Sequence, residues 1–257
     1  MKEEKVRKVL ALDSSGLVAS VALVEEDGFE STLRAEYTVN YKKTHSQTLL
    51  PMLDEIVKMT ETDLASVDAI AVAAGPGSFT GLRIGSATAK GLGLALQKPL
   101  VAVPTLDALA YNLYGTEKLI CPLMDARRNQ VYTGIYEFQG RRLNCLEAPA
   151  AVDIMEIAGK LCALKRDVIF LGDGAPVYHY RLTEVLMAEL HEAGKRHDFA
   201  PAHLNKQRAG AVGALALQYL REGRIQTAAE HQPDYLRLSQ AERERAEQEK
   251  KAKENGV

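Results

Sequence analysis

The chain has 257 residues and contains the same order of predicted elements twice. Each half predicts three short strands, a helix, a buried strand, a glycine-containing turn and a further helix. Two pairs of segments also match between the halves: LALDSS with CPLMDA, and AVAAGPG with IFLGDGAP. The first match places Asp13 and Asp125 at equivalent positions, each at the end of a first strand. The sequence therefore predicts a tandem duplication of a β-β-β-α-β-α unit.

The duplication predicts the domain organisation. We expect a first lobe over residues 1–113, a second lobe over residues 114–239 and a charged tail over residues 240–257. The tail consists mainly of Glu, Arg, Lys, Gln and Ala without an apolar stripe, so it cannot contribute to a core. Helices interleaved with strands predict an α/β protein in which each lobe has a mixed sheet covered by helices. Two such lobes predict a cleft between them.

The composition excludes several classes of protein. With 32 basic and 34 acidic residues, the chain has no overall charge that would attract a nucleic-acid backbone, although a local basic patch remains compatible. No apolar stretch approaches the roughly 18 residues that a bilayer requires, and the N-terminal segment does not resemble a secretion signal. The three cysteines show no C-x-x-C spacing, which favours reduced thiols. We therefore expect a cytoplasmic protein without a membrane segment.

A glycine turn occurs in the segment AAGPGSFTGLRIG, residues 73–85. Gly75, Gly77 and Ser78 follow a predicted strand and precede a helix, a position where backbone N–H groups can bind an anion. The spacing matches neither the Walker A motif nor the G-x-G-x-x-G fingerprint, and it is not the G-x-S-x-G nucleophile elbow. Two interpretations remain open. Either the turn is purely structural, or Gly75, Gly77 and Ser78 contact a nucleotide together with Asp13.

The helix after this turn carries small residues at every fourth position: Gly81, Gly85, Ala89 and Gly93. Glycine in a helix costs about 1 kcal/mol relative to alanine, so something must approach the backbone closely enough to offset that cost. One interpretation is tight packing against the molecule's own sheet. The other is a partner helix that docks on this face.

Four segments together resemble the TsaB family, also known as the YeaZ family: VLALDSS, AIAVAAGPGSFTGLRIG, KPLVAVPTLDALA and LMDARRNQVYTGIY. The resemblance extends from about Val9 to Arg237 and is specific, because the GPGSFTGLRIG string is close to diagnostic. It implies an actin-like (ASKHA) fold of two ribonuclease-H-like lobes, in agreement with the duplication. It also implies a role in tRNA modification, the synthesis of threonylcarbamoyladenosine beside the anticodon of tRNAs that read ANN codons.

The resemblance further implies the partners. TsaB-like proteins form a heterodimer with the catalytic TsaD-type subunit and are joined by the small TsaE-type ATPase, and tRNA is bound through the complex. The pairing surface of the family maps onto two helices of the first lobe, which favours the docking interpretation of the small-residue face. The implied partner-binding residues are His45, Leu49, Leu53, Gly81, Gly85, Ala89 and Gly93. A bulky side chain at Gly85 or Ala89 is then expected to block the complex and leave the monomer folded. Without the partner, we expect a homodimer through the same helices.

The resemblance also implies that this chain is not an enzyme by itself. TsaD-like chains carry two metal-binding histidines separated by three residues, and here Thr105 and Leu109 occupy those positions. Neither residue binds a metal as imidazole does, which also disfavours a metallopeptidase. We expect no cofactor on the chain alone, with ATP or ADP and Mg²⁺ as candidates only within the complex. The alternative is an actin-like small-molecule kinase that uses Asp13 and Asp125.

Three pairs of basic residues are candidates for a local basic patch: Arg127 with Arg128, Arg141 with Arg142, and Lys195 with Arg196. Contact with tRNA needs only a few positioned cations, because the phosphates accept them without regard to sequence. Solvated charges in turns explain the same pairs equally well. The sequence leaves both interpretations open.

Overall fold

The computed structural model describes residues 6–28, 30–41 and 43–236, so the predicted charged tail over residues 240–257 lies outside the described residues. The strands are β1 Arg7–Asp13, β2 Ala19–Glu26, β3 Ser31–Val39, β4 Ala69–Gly75, β5 Leu100–Pro104, β6 Leu119–Asp125, β7 Gln130–Gln139, β8 Arg142–Asp153, β9 Val168–Leu171 and β10 His197–Phe199. The helices are α1 His45–Met59, α2 Phe79–Leu96, α3 Thr105–Tyr111, α4 Ile154–Leu164, α5 Gly174–Glu192 and α6 Ala209–Arg221. None of the described helices is long and apolar enough to cross a membrane.

The two sheets confirm the predicted duplication. The first has the order β3-β2-β1-β4-β5, and the second has the equivalent order β8-β7-β6-β9-β10. In each sheet the first three strands of the lobe pair antiparallel. The remaining two strands run parallel to the first strand. This mixed α/β arrangement, repeated twice, is the predicted pair of ribonuclease-H-like lobes in an actin-like fold.

The first sheet is covered on both faces. Along β1, Leu10 and Leu12 point to one face and pack with residues of α1 and α2. Val9 and Ala11 point to the opposite face and pack with residues of α6. Successive side chains of a strand alternate between the two faces, so a strand that is covered twice is apolar at almost every position. The run Val9–Leu12 has this pattern.

Helices are exchanged across the boundary predicted between residues 113 and 114. Helix α6 comes from the second half of the chain, but its buried residues join the core of the first sheet. Helix α3 comes from the first half, and its Leu106 and Leu109 pack with Ile120 and Met124 of the second lobe. The predicted boundary therefore follows the sequence repeat, but it does not separate two independent cores.

Helix α1 differs at its N-terminus from what the sequence predicts. The pattern over Thr44–Met59 predicts a helix in which Thr44 and Gln47 form a capping box, but the Thr44 side chain makes no capping hydrogen bond, so the capping box is wrong. The alternative, in which Thr48 is the cap and Pro51 lies in the first turn, is wrong as well, since the helix already begins at His45. Pro51 lies inside the helix and is exposed. The proline ring therefore faces solvent while Leu49, Met52, Leu53 and Ile56 form the buried face.

Candidate functional site

A cleft of about 1330 Å³ lies between the two lobes. The first lobe contributes the turn after β1 and the N-terminal ends of α1 and α2, and the second lobe contributes the end of β6 and the start of α5. In both lobes, the side chains arrive at the carboxyl ends of parallel strands, which is where open α/β sheets bind ligands. The duplicated topology therefore brings equivalent edges of the two sheets to face each other.

Asp13 lies behind the cleft wall, where it is only 1% exposed. Its Oδ1 atom accepts hydrogen bonds from the Ser15 N–H at 2.9 Å and from the Ser15 hydroxyl at 2.6 Å. Its Oδ2 atom has no hydrogen-bond partner. Burial raises the pKa of this carboxyl group to about 6, although the bonds from Ser15 and the nearby His45 lower it in part. The side chain thus fixes the turn after β1.

The glycine turn packs closely against the same Ser14–Ser15 segment. The Ser78 N–H donates to the Ser15 carbonyl oxygen at 2.7 Å, and the Gly81 N–H donates to the Ser78 hydroxyl at 3.3 Å. A Cβ atom on Gly77 would collide with the Ser15 carbonyl. Two N–H groups at the start of α2 are therefore already bonded within the protein, and these contacts account for the turn as a structural element.

Only two of the four residues predicted to contact a nucleotide lie at the cleft. Gly77 and Ser78 line the cleft, whereas Asp13 and Gly75 do not. Gly75 adopts a φ of 126°, a conformation that favours glycine, and a Cβ atom there would meet the Asp234 carbonyl. Nucleotide contact by these residues stays a prediction.

Asp125 occupies the duplicated position in the second lobe and has different partners. Its Oδ1 atom accepts a hydrogen bond from the Arg127 N–H at 2.9 Å, and its Oδ2 atom lies 3.3 Å from the Arg127 guanidinium. The Asp125 N–H donates to Asp173 at 3.3 Å, and burial raises the pKa of Asp173. The described residues contain no group of three or more His, Cys, Asp or Glu side chains arranged to hold a metal. The contacts of Asp13 with Ser15 and of Asp125 with Arg127 each lie within one lobe.

The positions of the two missing histidines have structural roles. Thr105 is fully buried, and its hydroxyl accepts a hydrogen bond from the Gly75 N–H at 3.2 Å. Leu109 is buried in the core beside the second sheet. Both positions therefore stabilise the fold in this chain.

Six of the seven predicted partner-binding residues face the interior, which corrects that prediction. The buried positions are Leu49, Leu53, Gly81, Gly85, Ala89 and Gly93. They are inward because α1 and α2 cover the first sheet, and a Cβ atom on Gly85 would lie 2.5 Å from the Ser14 hydroxyl oxygen. The remaining residue, His45, is partly buried, and its Nε2 atom lies 2.9 Å from the Gly16 carbonyl oxygen.

The consequence is that the substitutions Gly85→Leu and Ala89→Trp would test folding and not docking. Ala89 has no exposed surface. Tight packing on the molecule's own sheet, the first of the two interpretations of the small-residue stripe, accounts for all four of its positions.

A second stripe of small residues on α2 faces outward. Ala87, Gly91 and Ala95 are exposed, and a Cβ atom on Gly91 would meet nothing within 4 Å. Leu94 on the same side is 70% exposed. We call Ala87, Gly91, Leu94 and Ala95 the outer face of α2. The sequence contained a signal for it, because Leu82 belongs to the buried side and fixes which of the two small-residue stripes points inward.

Sequence comparisons identify the family. A family model described as TsaD, tRNA N6-adenosine threonylcarbamoyltransferase, matches residues 32–245. The tRNA threonylcarbamoyladenosine biosynthesis protein TsaB of Bacillus subtilis (strain 168) is 33% identical over 237 residues, which cover 91% of this chain and 96% of that protein. The chain belongs to the TsaB family. The Escherichia coli (strain K12) protein of the same name is 34% identical over 133 residues, 51% of this chain and 55% of that protein.

Solved structures agree with this assignment. A Pseudomonas aeruginosa structure described as an uncharacterized protein with similarity to peptidase YEAZ superposes with a TM-score of 0.74 at 29% identity, covering 90% of this chain and all of that one. The structure described as YeaZ from the same organism gives a TM-score of 0.70 at 27% identity, covering 89% and 99%. The resemblance to the TsaB (YeaZ) family and its fold are therefore confirmed.

Proposed function

We propose that this chain is a non-catalytic accessory subunit of tRNA threonylcarbamoylation. It forms a heterodimer with a TsaD-type catalytic subunit, which modifies the adenosine beside the anticodon of tRNAs that read ANN codons. Membership of the TsaB family and the names of its relatives support a part in this biosynthesis. The lack of catalysis is supported by Thr105 and Leu109, which fill the two histidine positions of the catalytic relative with a structural hydrogen bond and a core contact.

The outer face of α2 is the observation that supports the heterodimer. Ala87, Gly91 and Ala95 leave the helix backbone accessible, so a partner helix can approach at the short end of the usual 8–10 Å range. Leu94 and, on the neighbouring helix α1, the 52% exposed Leu50 supply apolar anchors for such a partner. Helix α2 has small, apolar side chains on its solvent side as well as on its buried side. It can therefore pack against its own sheet on one side and against a partner helix on the other.

The accessory role requires that this chain makes better contacts with one arrangement of the catalytic subunit than with another. A subunit that binds one arrangement of its partner better than another shifts the partner toward that arrangement, without contributing a catalytic group. The TsaE-type ATPase would join this heterodimer. In the absence of the catalytic subunit, the same outer face would pair with a second copy of the chain, because a self-complementary helix face makes a two-fold dimer.

The experiment is a reconstitution with matched glycine variants. The catalytic subunit, the ATPase, tRNA, threonine, bicarbonate, ATP and the enzyme that makes the threonylcarbamoyl donor are combined with and without this chain, and modified nucleosides are measured by mass spectrometry. Gly91→Arg places a bulky charge on the outer face of α2. Gly159→Arg is the control, because Gly159 is also an exposed glycine inside a helix with nothing within 4 Å of its Cβ position.

We expect modification to depend on the chain, with Gly91→Arg losing both the heterodimer in size-exclusion chromatography and the modification. Gly159→Arg should retain both. Full modification without the chain would refute the accessory role. Normal pairing by Gly91→Arg would refute the outer face of α2 as the docking surface.

A further inference from the structure

The cleft between the lobes combines aromatic and basic side chains in a way that the heterodimer does not require. We propose that it binds an unpaired nucleotide of the RNA substrate, with the base between aromatic rings and the phosphates at the cationic rim. This inference rests on the proposed function for the identity of the RNA. It concerns a different surface from the outer face of α2.

Four aromatic side chains line the cleft: Tyr41, Phe79, Tyr132 and Tyr235. They come from both sides, since Tyr41 and Phe79 belong to the first lobe and Tyr132 to strand β7 of the second. Tyr41 is 72% exposed. The Phe79 ring is already packed by the Tyr235 ring, at a centroid distance of 4.8 Å, and by the Arg83 guanidinium, at 3.9 Å. Tyr41 and Tyr132, which come from opposite lobes, are therefore the rings that offer stacking surfaces to an unpaired base, and such stacking tolerates any base.

Lys43 and Arg127 supply positive charge at the rim of the same cleft. The Arg127 side chain is 84% exposed while its guanidinium lies 3.3 Å from Asp125, and Arg128 follows it in the turn. Arg127, Arg128 and Asn129 have φ angles of 65°, 56° and 61°, and each such conformation is unfavourable for a residue other than glycine. Hydrogen bonds from Arg127 N–H to Asp125 and from Gln130 N–H to the Arg127 carbonyl hold the turn in place. The turn thereby presents two adjacent arginines beside the cleft.

The acidic residues of the cleft decide which part of the nucleotide lies inside. Asp125, Asp173 and Asp234 also line it, and carboxylates repel phosphate. They accept hydrogen bonds, which base amino groups and ribose hydroxyls donate. The base and ribose therefore enter the cleft, and the flanking phosphates stay outside with Lys43 and the arginine pair. A volume of about 1330 Å³ is ample for one nucleoside.

A free mononucleotide and an unpaired nucleotide of RNA share this chemistry. The RNA is favoured because the cations lie at the rim and not in the interior. An RNA nucleotide has phosphates on both sides, and both can reach the rim while the base is inside. A free nucleotide lacks the second phosphate and the neighbouring nucleotides, so it uses fewer of these contacts.

The test uses the absence of tryptophan in the chain. The variant Tyr41→Trp introduces one fluorophore at the cleft, and a stacked base quenches its emission. The protein is titrated with an unmodified anticodon stem-loop of an ANN-reading tRNA, with AMP and with inorganic phosphate. We expect quenching that saturates with the stem-loop, at a concentration at least tenfold below any response to AMP, and no response to phosphate.

Charge variants in the Tyr41→Trp background separate the cleft from general electrostatics. Arg127→Ala/Arg128→Ala removes the rim pair and is expected to weaken stem-loop binding about tenfold with a shallower salt dependence. Arg141→Ala/Arg142→Ala removes the same charge at the opposite end of strand β7, roughly 30 Å away at the usual rise per residue, and should change binding less than twofold. Thermal unfolding of both variants checks that the fold is kept.

Three outcomes would overturn the proposal: no quenching by the stem-loop, quenching by AMP at equal or lower concentration, or equal weakening by the two double variants. The second would assign the cleft to a free nucleotide. Failure of the cleft proposal can be told apart from failure of the proposed function. Arg127→Ala/Arg128→Ala retains the outer face of α2 and is expected to form the heterodimer normally.

Discussion

The two lobes place a glycine turn and a helix after equivalent strands, but they pack these helices differently. Gly75 and Gly172 open the two turns with φ angles of 126° and 103°. In the first lobe, α2 turns Gly81 and Gly85 toward the sheet, and Ser14 fills the space beside them. In the second lobe, α5 turns large side chains inward, namely Tyr178, Leu182, Leu186 and Leu190.

The difference shows that one topology accepts two ways of covering a sheet. Helix α2 packs through backbone contact and carries small residues on its buried side and on its outer face. Helix α5 packs through side-chain volume. A stripe of small residues is therefore evidence of close approach, but it does not by itself say whether the neighbour belongs to the same molecule. On the buried side of α5, truncation of a side chain should therefore destabilise the protein. On the buried side of α2, enlargement of a side chain should destabilise it.

The largest effect is expected from truncation in the second lobe. Leu186→Ala removes a fully buried side chain of α5 and leaves a cavity, so we expect the free energy of unfolding to fall by about 4 kcal/mol. Urea denaturation measures this change. A loss below about 1 kcal/mol would mean that the second lobe does not depend on side-chain volume.

Asp13, one of the two duplicated aspartates, gives the first lobe a pH-dependent stability. The pKa of Asp13 is raised to about 6 by burial, so the folded chain keeps a proton that the unfolded chain releases above pH 3.8. Asp13 therefore contributes stability that is lost as the pH rises from about 4 to about 6, by up to about 3 kcal/mol, and its contribution stays level above that range.

Asp13→Asn lacks this titration. We expect the stability of the variant relative to wild type to increase across that pH range in urea denaturation at fixed salt. Parallel curves for the two proteins at all pH values would contradict the burial of a protonated Asp13.

Enlargement should be harmful on the buried side of α2. Gly81→Ala puts a methyl group against the Ser14 carbonyl oxygen, and we expect a loss of about 2 kcal/mol after the higher helix propensity of alanine is included. The midpoint of urea unfolding reports it. An unchanged midpoint would show that the Ser14–Ser15 segment can move away.

The smallest effect should have the opposite sign. Gly91→Ala lies on the outer face of α2 with nothing within 4 Å of its new Cβ atom, so we expect a gain of about 1 kcal/mol. Gly159→Ala in α4 is the matched position of the second lobe and should gain a similar amount. Destabilisation by Gly91→Ala alone would mean that this face packs within the monomer.

Much of the fold followed from local patterns in the sequence. The sequence predicts a strand over Leu119–Asp125 and a helix over Ile154–Leu164, and β6 and α4 have these bounds because each is a periodic segment with clear ends. The sequence predicts a strand over Arg142–Glu147, whereas β8 continues to Asp153 and contains Pro149. An edge strand tolerates proline because the missing N–H can face away from the sheet, and β8 lies at an edge.

The site was less accessible to sequence reasoning, for physical reasons. Tyr41, Tyr132 and Tyr235 are far apart in the chain and form one cleft only because the lobes face each other. Helical periodicity places Gly91 on a different side of α2 from Gly85, and Leu82 indicates which side is buried. The close contact of Gly85 with Ser14 depends on how α2 packs against the turn after β1, which no local pattern shows. The roles of Thr105 and Leu109 depended on the family resemblance, since no local pattern marks a position where a histidine is missing.

The exchange of helices between the lobes has a consequence for synthesis on the ribosome. All five strands of the first sheet have been made by Pro104, but α6, which covers one face of that sheet, ends only at Arg221. At the usual elongation rate of about 5–20 residues per second, roughly 5–25 seconds pass between the synthesis of the last strand of this sheet and the synthesis of α6. The first lobe therefore exposes an apolar face during synthesis until α6, the last helix of the described residues, has been made.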